Sequence, residues 1–256
     1  MIKIYNENRL TRQPFFKAVI EYLYSKELRG EEVTLRQIHK DFADVKNIDR
    51  QMDSFIAAGL IERADKRYTL GLPVLTDADF SLTELSVTPT NHVYTAPFLV
   101  ATDSKVVEQL DASVTFQVLT NSTNAIALHF SSRYDRTTDT LANYFYKVAE
   151  NLPLTTLENE VYQLMGDVDP EYALKYMTTF LLKFMRKDIV KTKKDIFITV
   201  LEKYGYIASI NDREYRSLLE FDEVETLPVV EHTDAKSFVA AQIQQKMFIK
   251  NYISIN

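Results

Sequence analysis

Apolar residues first recur at helical spacing in Phe15, Phe16, Val19, Ile20, Leu23 and Tyr24. Pro14 stands near the opening of that stretch, where a missing N–H costs nothing, and Thr11 or Gln13 is its candidate cap. Thr34 reads as the N-cap of a second helix, with Leu35, Ile38 and Phe42 inward and Arg36, Gln37 and Lys40 outside. Ile48, Met52, Phe55 and Ile56 repeat at i, i+4, i+7 and i+8 and predict a third helix. Gly59 then stops it, because glycine can take the left-handed conformation that closes a helix. Leu60 to Arg63 and Arg67 to Leu70 follow as two strands around the polar tip Ala64-Asp65-Lys66.

Beyond Pro73 the pattern changes. Asp77 to Pro89, rich in Asp, Ser and Thr, predicts a linker or a short irregular element. Val93–Val100, Val114–Leu119 and Ala125–Phe130 predict a small sheet, with a helix near Ser104–Leu110 and a hairpin turn at Asn121–Asn124. Helical spacing returns in Leu141, Tyr144, Phe145 and Val148, and again in Leu157, Val161 and Leu164 up to Gly166. Pro170 to Phe184 is apolar nearly all round, as expected of a helix central to a core or an interface. Leu227-Pro228-Val229-Val230 reads as an edge piece, and Ala235 to about Lys250 as a last helix, expected to pack back onto its own domain, with a dimer contact as the alternative.

The expected fold class is α+β, predominantly helical. Its expected parts are a small domain over residues 1–75, an α+β region over 76–135 and a mainly helical domain over 136–256. Phe197-Ile198-Thr199-Val200-Leu201-Glu202-Lys203-Tyr204-Gly205-Tyr206-Ile207 echoes Phe55-Ile56-Ala57-Ala58-Gly59-Leu60-Ile61. The echo predicts either a second, degenerate copy of the N-terminal unit or a chance recurrence of a glycine-capped helix.

Helix, turn, helix, glycine, hairpin is the order of a winged helix-turn-helix, and Leu10 to Pro73 resembles that family, whose members mostly bind DNA. The resemblance implies that the third helix lies in the major groove, where arginine grips guanine and asparagine or glutamine reads adenine. Its candidate contacts are Lys46, Asn47, Arg50, Gln51 and Ser54, joined by Arg36 and Lys40 and by Lys66 and Arg67 at the wing. Asp49 and Asp53 lie on or beside that face, where phosphates would repel them. The alternative is a winged helix that binds protein and carries exposed apolar residues there. The chain as a whole also resembles an uncharacterised family of Gram-positive bacterial proteins, through Leu10-Thr11-Arg12-Gln13-Pro14-Phe15-Phe16 and the Pro170–Phe184 segment. No activity follows from that likeness.

Charge adds modest support. The net charge is −6, yet residues 1–72 carry 13 Lys/Arg against 11 Asp/Glu, so the basic excess sits in the expected reader. A second basic run, Lys183, Arg186, Lys187, Lys191, Lys193 and Lys194, would be another phosphate-contacting patch if its surface is contiguous.

Composition excludes several chemistries. With no cysteine there is no disulfide, thiolate metal site or sulfur nucleophile. The five glycines are too scattered for a dinucleotide-binding fingerprint or a phosphate-cradling loop. His39, His92, His129 and His232 are isolated, with no second histidine three or four residues away to complete a helical metal face. No enzyme activity, metal or cofactor is expected. The N-terminus lacks a signal-peptide core and no stretch is long and apolar enough to span a bilayer, so the expected setting is the cytoplasm. Double-stranded DNA is the expected partner, with the C-terminal region serving a homodimer, a ligand or another protein.

Overall fold

A computed structural model of the protein describes residues 1–80, 88–221 and 227–255. In chain order the first elements are β1 (Ile2–Tyr5), α1 (Pro14–Glu27), α2 (Leu35–Asp41), α3 (Ile48–Ala57), β2 (Ile61–Ala64), β3 (Arg67–Leu70), β4 (Val74–Leu75), β5 (Asn91–Val93), β6 (Phe98–Ala101), α4 (Lys105–Asp111), β7 (Val114–Thr120) and β8 (Ile126–Arg133). Next come α5 (Leu141–Ala149), α6 (Thr156–Met165), α7 (Pro170–Leu181), β9 (Val190–Lys191), α8 (Ile196–Lys203), β10 (Ile207–Asn211), β11 (Glu214–Ser217), β12 (Glu220–Phe221), β13 (Val229–Glu231), α9 (Ala235–Gln242) and β14 (Tyr252–Ile255).

The expectation of a predominantly helical protein is corrected. Of the described residues 38% are helical and 23% lie in strands, distributed over several small sheets. Many strands are only two to five residues long, too short to show clear alternation. Ile2–Tyr5 is a further strand, not among those expected. The expected strand over Val93–Val100 is split into β5 and β6 around Tyr94–Pro97, where Pro97 has no N–H to offer a ladder. The expected final helix stops at Gln242, and Tyr252–Ile255 form the strand β14. Of the expected linker, Asp77–Asp79 form a 3-10 turn and residues 81–87 lie outside the described residues.

The chain forms two compact units, each assembled from three stretches of sequence. The first comprises Met1–Thr83, Val93–Gln109 and Glu231–Ala240. Its three-stranded sheet has the order β1-β6-β4, with Tyr5 opposite Phe98 in an antiparallel pair and Val74 beside Leu99 in a parallel one. The core of this unit gathers Phe16, Val19, Ile20 and Leu23 from α1 around Ile38, Met52, Phe55, Ile61 and Tyr68.

The second unit comprises Glu84–His92, Leu110–Val230 and Ala241–Asn256. One sheet has the order β12-β14-β8-β7, so β7 and β8, expected in a separate central region, share a sheet with the C-terminal strand. A second sheet has the order β10-β11-β9. Leu128, Phe130, Tyr144, Val161, Met177 and Leu201 lie in the common core.

The sequence echo has a structural counterpart. Gly59 and Gly205 both close a helix at φ of +69° and +68°, and the following residues donate equivalent bonds, Leu60 N–H to the Phe55 carbonyl and Tyr206 N–H to the Leu201 carbonyl. In each hairpin a buried tyrosine of the second strand pairs back to a buried valine: Tyr68 N–H bonds the Val33 carbonyl, and Tyr215 lies opposite Val190. The likeness ends there. Val33 is followed by α2 and α3, whereas only α8 stands between β9 and β10. With one helix in that interval, the second copy contains no helix-turn-helix, and the expectation of a second winged-helix-like unit is corrected accordingly.

Candidate nucleic-acid interface

The helix pair α2–α3 is built by its own caps. Thr34 accepts from the Gln37 backbone N–H while the Gln37 side chain accepts from the Thr34 N–H at 2.6 Å, a reciprocal cap that starts α2. Phe42 is half-buried and meets Phe15 edge-on at 5.4 Å, anchoring the turn. Asn47 then takes a left-handed conformation at φ +56° and serves as the N-cap residue of α3 without a side-chain capping bond. Ile48, Met52 and Phe55 turn into the core, with Phe55 and Phe16 rings edge-to-face at 5.0 Å.

That burial leaves the opposite face of α3 in solvent. Arg50 and Ser54 are exposed there, Gln51 is half-buried, and Lys46 and Asn47 lie in the turn just before the helix. The Gln51 side-chain amide donates to the Lys46 carbonyl at 2.8 Å, and the Ser54 hydroxyl donates to the Arg50 carbonyl at 2.9 Å. Two of the expected contacts, Gln51 and Ser54, are therefore bonded to nearby backbone carbonyls. Asp49 shares a 2.8 Å hydrogen bond with the His39 Nε2 of α2, so this carboxylate engages the neighbouring helix. Asp53 remains exposed beside Arg50 in the sequence of charges along the helix.

The expected wing is a two-residue hairpin. Ala64 pairs with Arg67, and Asp65 and Lys66 both have positive φ, +48° and +63°. Two successive positive φ values define the type I′ turn, whose second position strongly favours glycine. Here that position holds an exposed lysine. Arg67, the other expected wing contact, donates from Nε to Glu32 at 2.6 Å, and its backbone bridges to Thr34. The Arg67–Glu32 pair could not be read from sequence, since the partners are 35 residues apart. Arg63 was also missed: on β2 its guanidinium lies 5.6 Å from the centre of the Tyr68 ring.

Of the nine residues expected to contact DNA, five keep unpaired charges. Arg36, Lys40, Lys46, Arg50 and Lys66 are exposed and have no ion-pair partner among the described residues. Elsewhere pairing is common: Lys17 meets Glu7, Lys26 meets Glu31, and on α8 and its approach Lys203 meets Glu160 and Lys194 meets Glu202. The second basic run is likewise partly neutralised, with Lys191 on Glu214 at 2.7 Å. Among the described residues no group of histidines and carboxylates is arranged to hold a metal ion, and no helix is long and apolar enough to cross a membrane.

A protein family described as a domain of unknown function, DUF1803, matches residues 2–113. The match includes β1, α1–α3, the hairpin, β4 and β6, and with them the Leu10–Phe16 segment. Pro170–Phe184, the other segment that resembled an uncharacterised family, lies outside it. No curated protein and no solved structure matches the chain.

Proposed function

We propose that residues 10–73 bind duplex DNA in the manner of a winged helix-turn-helix, and that the protein is a regulator of transcription. One observation carries this reading: α2, the turn before α3, α3 itself and the hairpin tip expose five cations with no acidic partner among the described residues. Unneutralised lysine and arginine are what phosphate contacts need, because displacing condensed counterions drives association. Arg50 is the base-reading residue of this arrangement, since its guanidinium is uncommitted where Gln51 and Ser54 are bonded locally.

A protein-binding winged helix would instead show apolar side chains on this face. Among the described residues, no large apolar side chain between Arg29 and Gln117 is exposed. The test is a fluorescence titration of the full chain against random and selected duplexes at two salt concentrations. Binding that weakens steeply with salt, and prefers some sequences, supports the regulator. Absence of binding at low salt overturns the DNA reading.

A further inference from the structure

The loop from α7 to β9, within the second unit, holds a cavity of about 650 Å³. Small-molecule sites commonly have roughly 300–1,000 Å³. The sequence builds this one by anchoring both ends of a short segment. After Leu181 the helix tightens into a 3-10 turn, Leu182–Met185, whose Phe184 is buried. At the other end Val190 is buried opposite Tyr215. Between these anchors Met185 stays 48% exposed and Ile189 47%, although core residues are their immediate neighbours in sequence.

The lining has a definite chemistry. Among the described residues its apolar part, Leu182, Met185, Ile189 and Val190, is wholly aliphatic, and its polar part consists of cations with no carboxylate among them. Lys191 is neutralised by Glu214, and the Lys183 ammonium lies 5.6 Å from the centre of the Phe180 ring. Arg186 and Lys187 have no ion-pair partner among the described residues. Asp188, the acid of this loop, lines a neighbouring hollow instead.

We propose that this cavity binds a small amphiphilic anion: a carboxylate or phosphate headgroup carrying an aliphatic chain. An inorganic anion would make no use of the aliphatic wall. A neutral hydrocarbon would desolvate Arg186 and Lys187 with nothing to compensate them. A nucleobase would be recognised by stacking on aromatic side chains, and among the described residues the lining has no aromatic ring. Aliphatic wall and uncommitted cations together match a ligand with both parts, and this site does not depend on the DNA reading.

The experiment is calorimetric titration of the full chain with decanoate, decyl phosphate, a neutral decyl glycoside and inorganic phosphate, all below micelle formation. One molecule of decanoate or decyl phosphate should bind per chain, at least tenfold more tightly than the glycoside or inorganic phosphate. The ratio between the two anions identifies the headgroup. Shortening the chain by two methylenes should weaken binding roughly tenfold. The exposed-site variants Arg186→Gln with Lys187→Gln should weaken both anions at least tenfold, and Ile189→Ser several-fold, with unchanged circular dichroism. The proposal is overturned if neither anion binds, if the double variant binds as well as the parent, or if inorganic phosphate binds as tightly as decyl phosphate.

Discussion

The Lys147 ammonium of α5 and the Glu158 carboxylate of α6 form a buried ion pair, with Nζ donating to both carboxylate oxygens at 2.9 and 2.8 Å. Glu158 also accepts from the Thr155 backbone N–H, closing the reciprocal cap that starts α6. One fully buried carboxylate thus ties two helices and caps one of them. Glu158→Gln keeps an oxygen for the cap but leaves a buried ammonium uncompensated. It should cost about 3–5 kcal/mol, and adding Lys147→Met should restore much of that loss. Urea denaturation of the two single variants and the double variant measures both effects; a Glu158→Gln cost no larger than that of a surface change would show the pair to be solvated.

The aromatic contact under α3 sets the stability of the first unit. Phe55→Ala should cost roughly 3–5 kcal/mol, because Phe55 is fully buried against Phe15 and Phe16 and a cavity would remain. The two glycines near it should respond differently. A methyl added at Gly59 meets nothing within 4 Å, so Gly59→Ala carries only the positive-φ penalty of about 1–2 kcal/mol. At Gly71 the same methyl would run into the Gly59 carbonyl and the Ile61 amide, so Gly71→Ala should lose more. Denaturation midpoints in the reverse order would contradict this account.

Lys66 separates stability from binding. Glycine fits the left-handed backbone it occupies, so Lys66→Gly should leave the fold as stable as before or stabilise it by up to about 1 kcal/mol. The same change removes a cation of the proposed interface and should weaken all duplex sequences alike, with a shallower salt dependence. Unchanged duplex affinity would remove the wing from the proposed interface.

Arg50 should behave otherwise. Arg50→Ala is expected to weaken the preferred duplex by about 1–3 kcal/mol and blur selection at one base position while altering random duplexes less. Selection from a randomised duplex pool with both proteins reads this directly. Equal losses on every sequence would reassign Arg50 to phosphate contact.

His129 gives the fold an acid-sensitive point. Its Nε2 shares a 2.7 Å hydrogen bond with the Ser254 hydroxyl, its ring stacks on Tyr252 at 4.2 Å, and burial holds the imidazole below the usual histidine range. The unfolded chain, with an ordinary histidine near pH 6.5, therefore binds the proton first as pH falls. This contribution is fully present above about pH 6.5 and is lost as pH drops below it toward the folded-state value. His129→Gln should flatten the dependence of the melting temperature on pH in that window; an unaltered slope would place its origin in other groups.

The sequence by itself determined the helices α1–α3 and α5–α7 and the Thr34 cap of α2. It also located the left-handed Gly59 and the polar outer side of α3. Helical bonds run from residue i to i−4, so a short window contains both partners and the apolar spacing that buries one face. The hairpins β2–β3 and β7–β8 were also legible, but tertiary structure alone decided the long-range strand pairings. Ile2 pairs with Ala101 and Tyr252 with His129, and no local pattern announces a partner so far along the chain. It also decided which candidate contacts remain available. Arg67 is held by Glu32 and Asp49 by His39, while Arg50 and Lys66 keep their charges unpaired among the described residues. Exposure follows from periodicity, but charge pairing depends on which side chains the fold brings within about 4 Å, and that distance is set by packing.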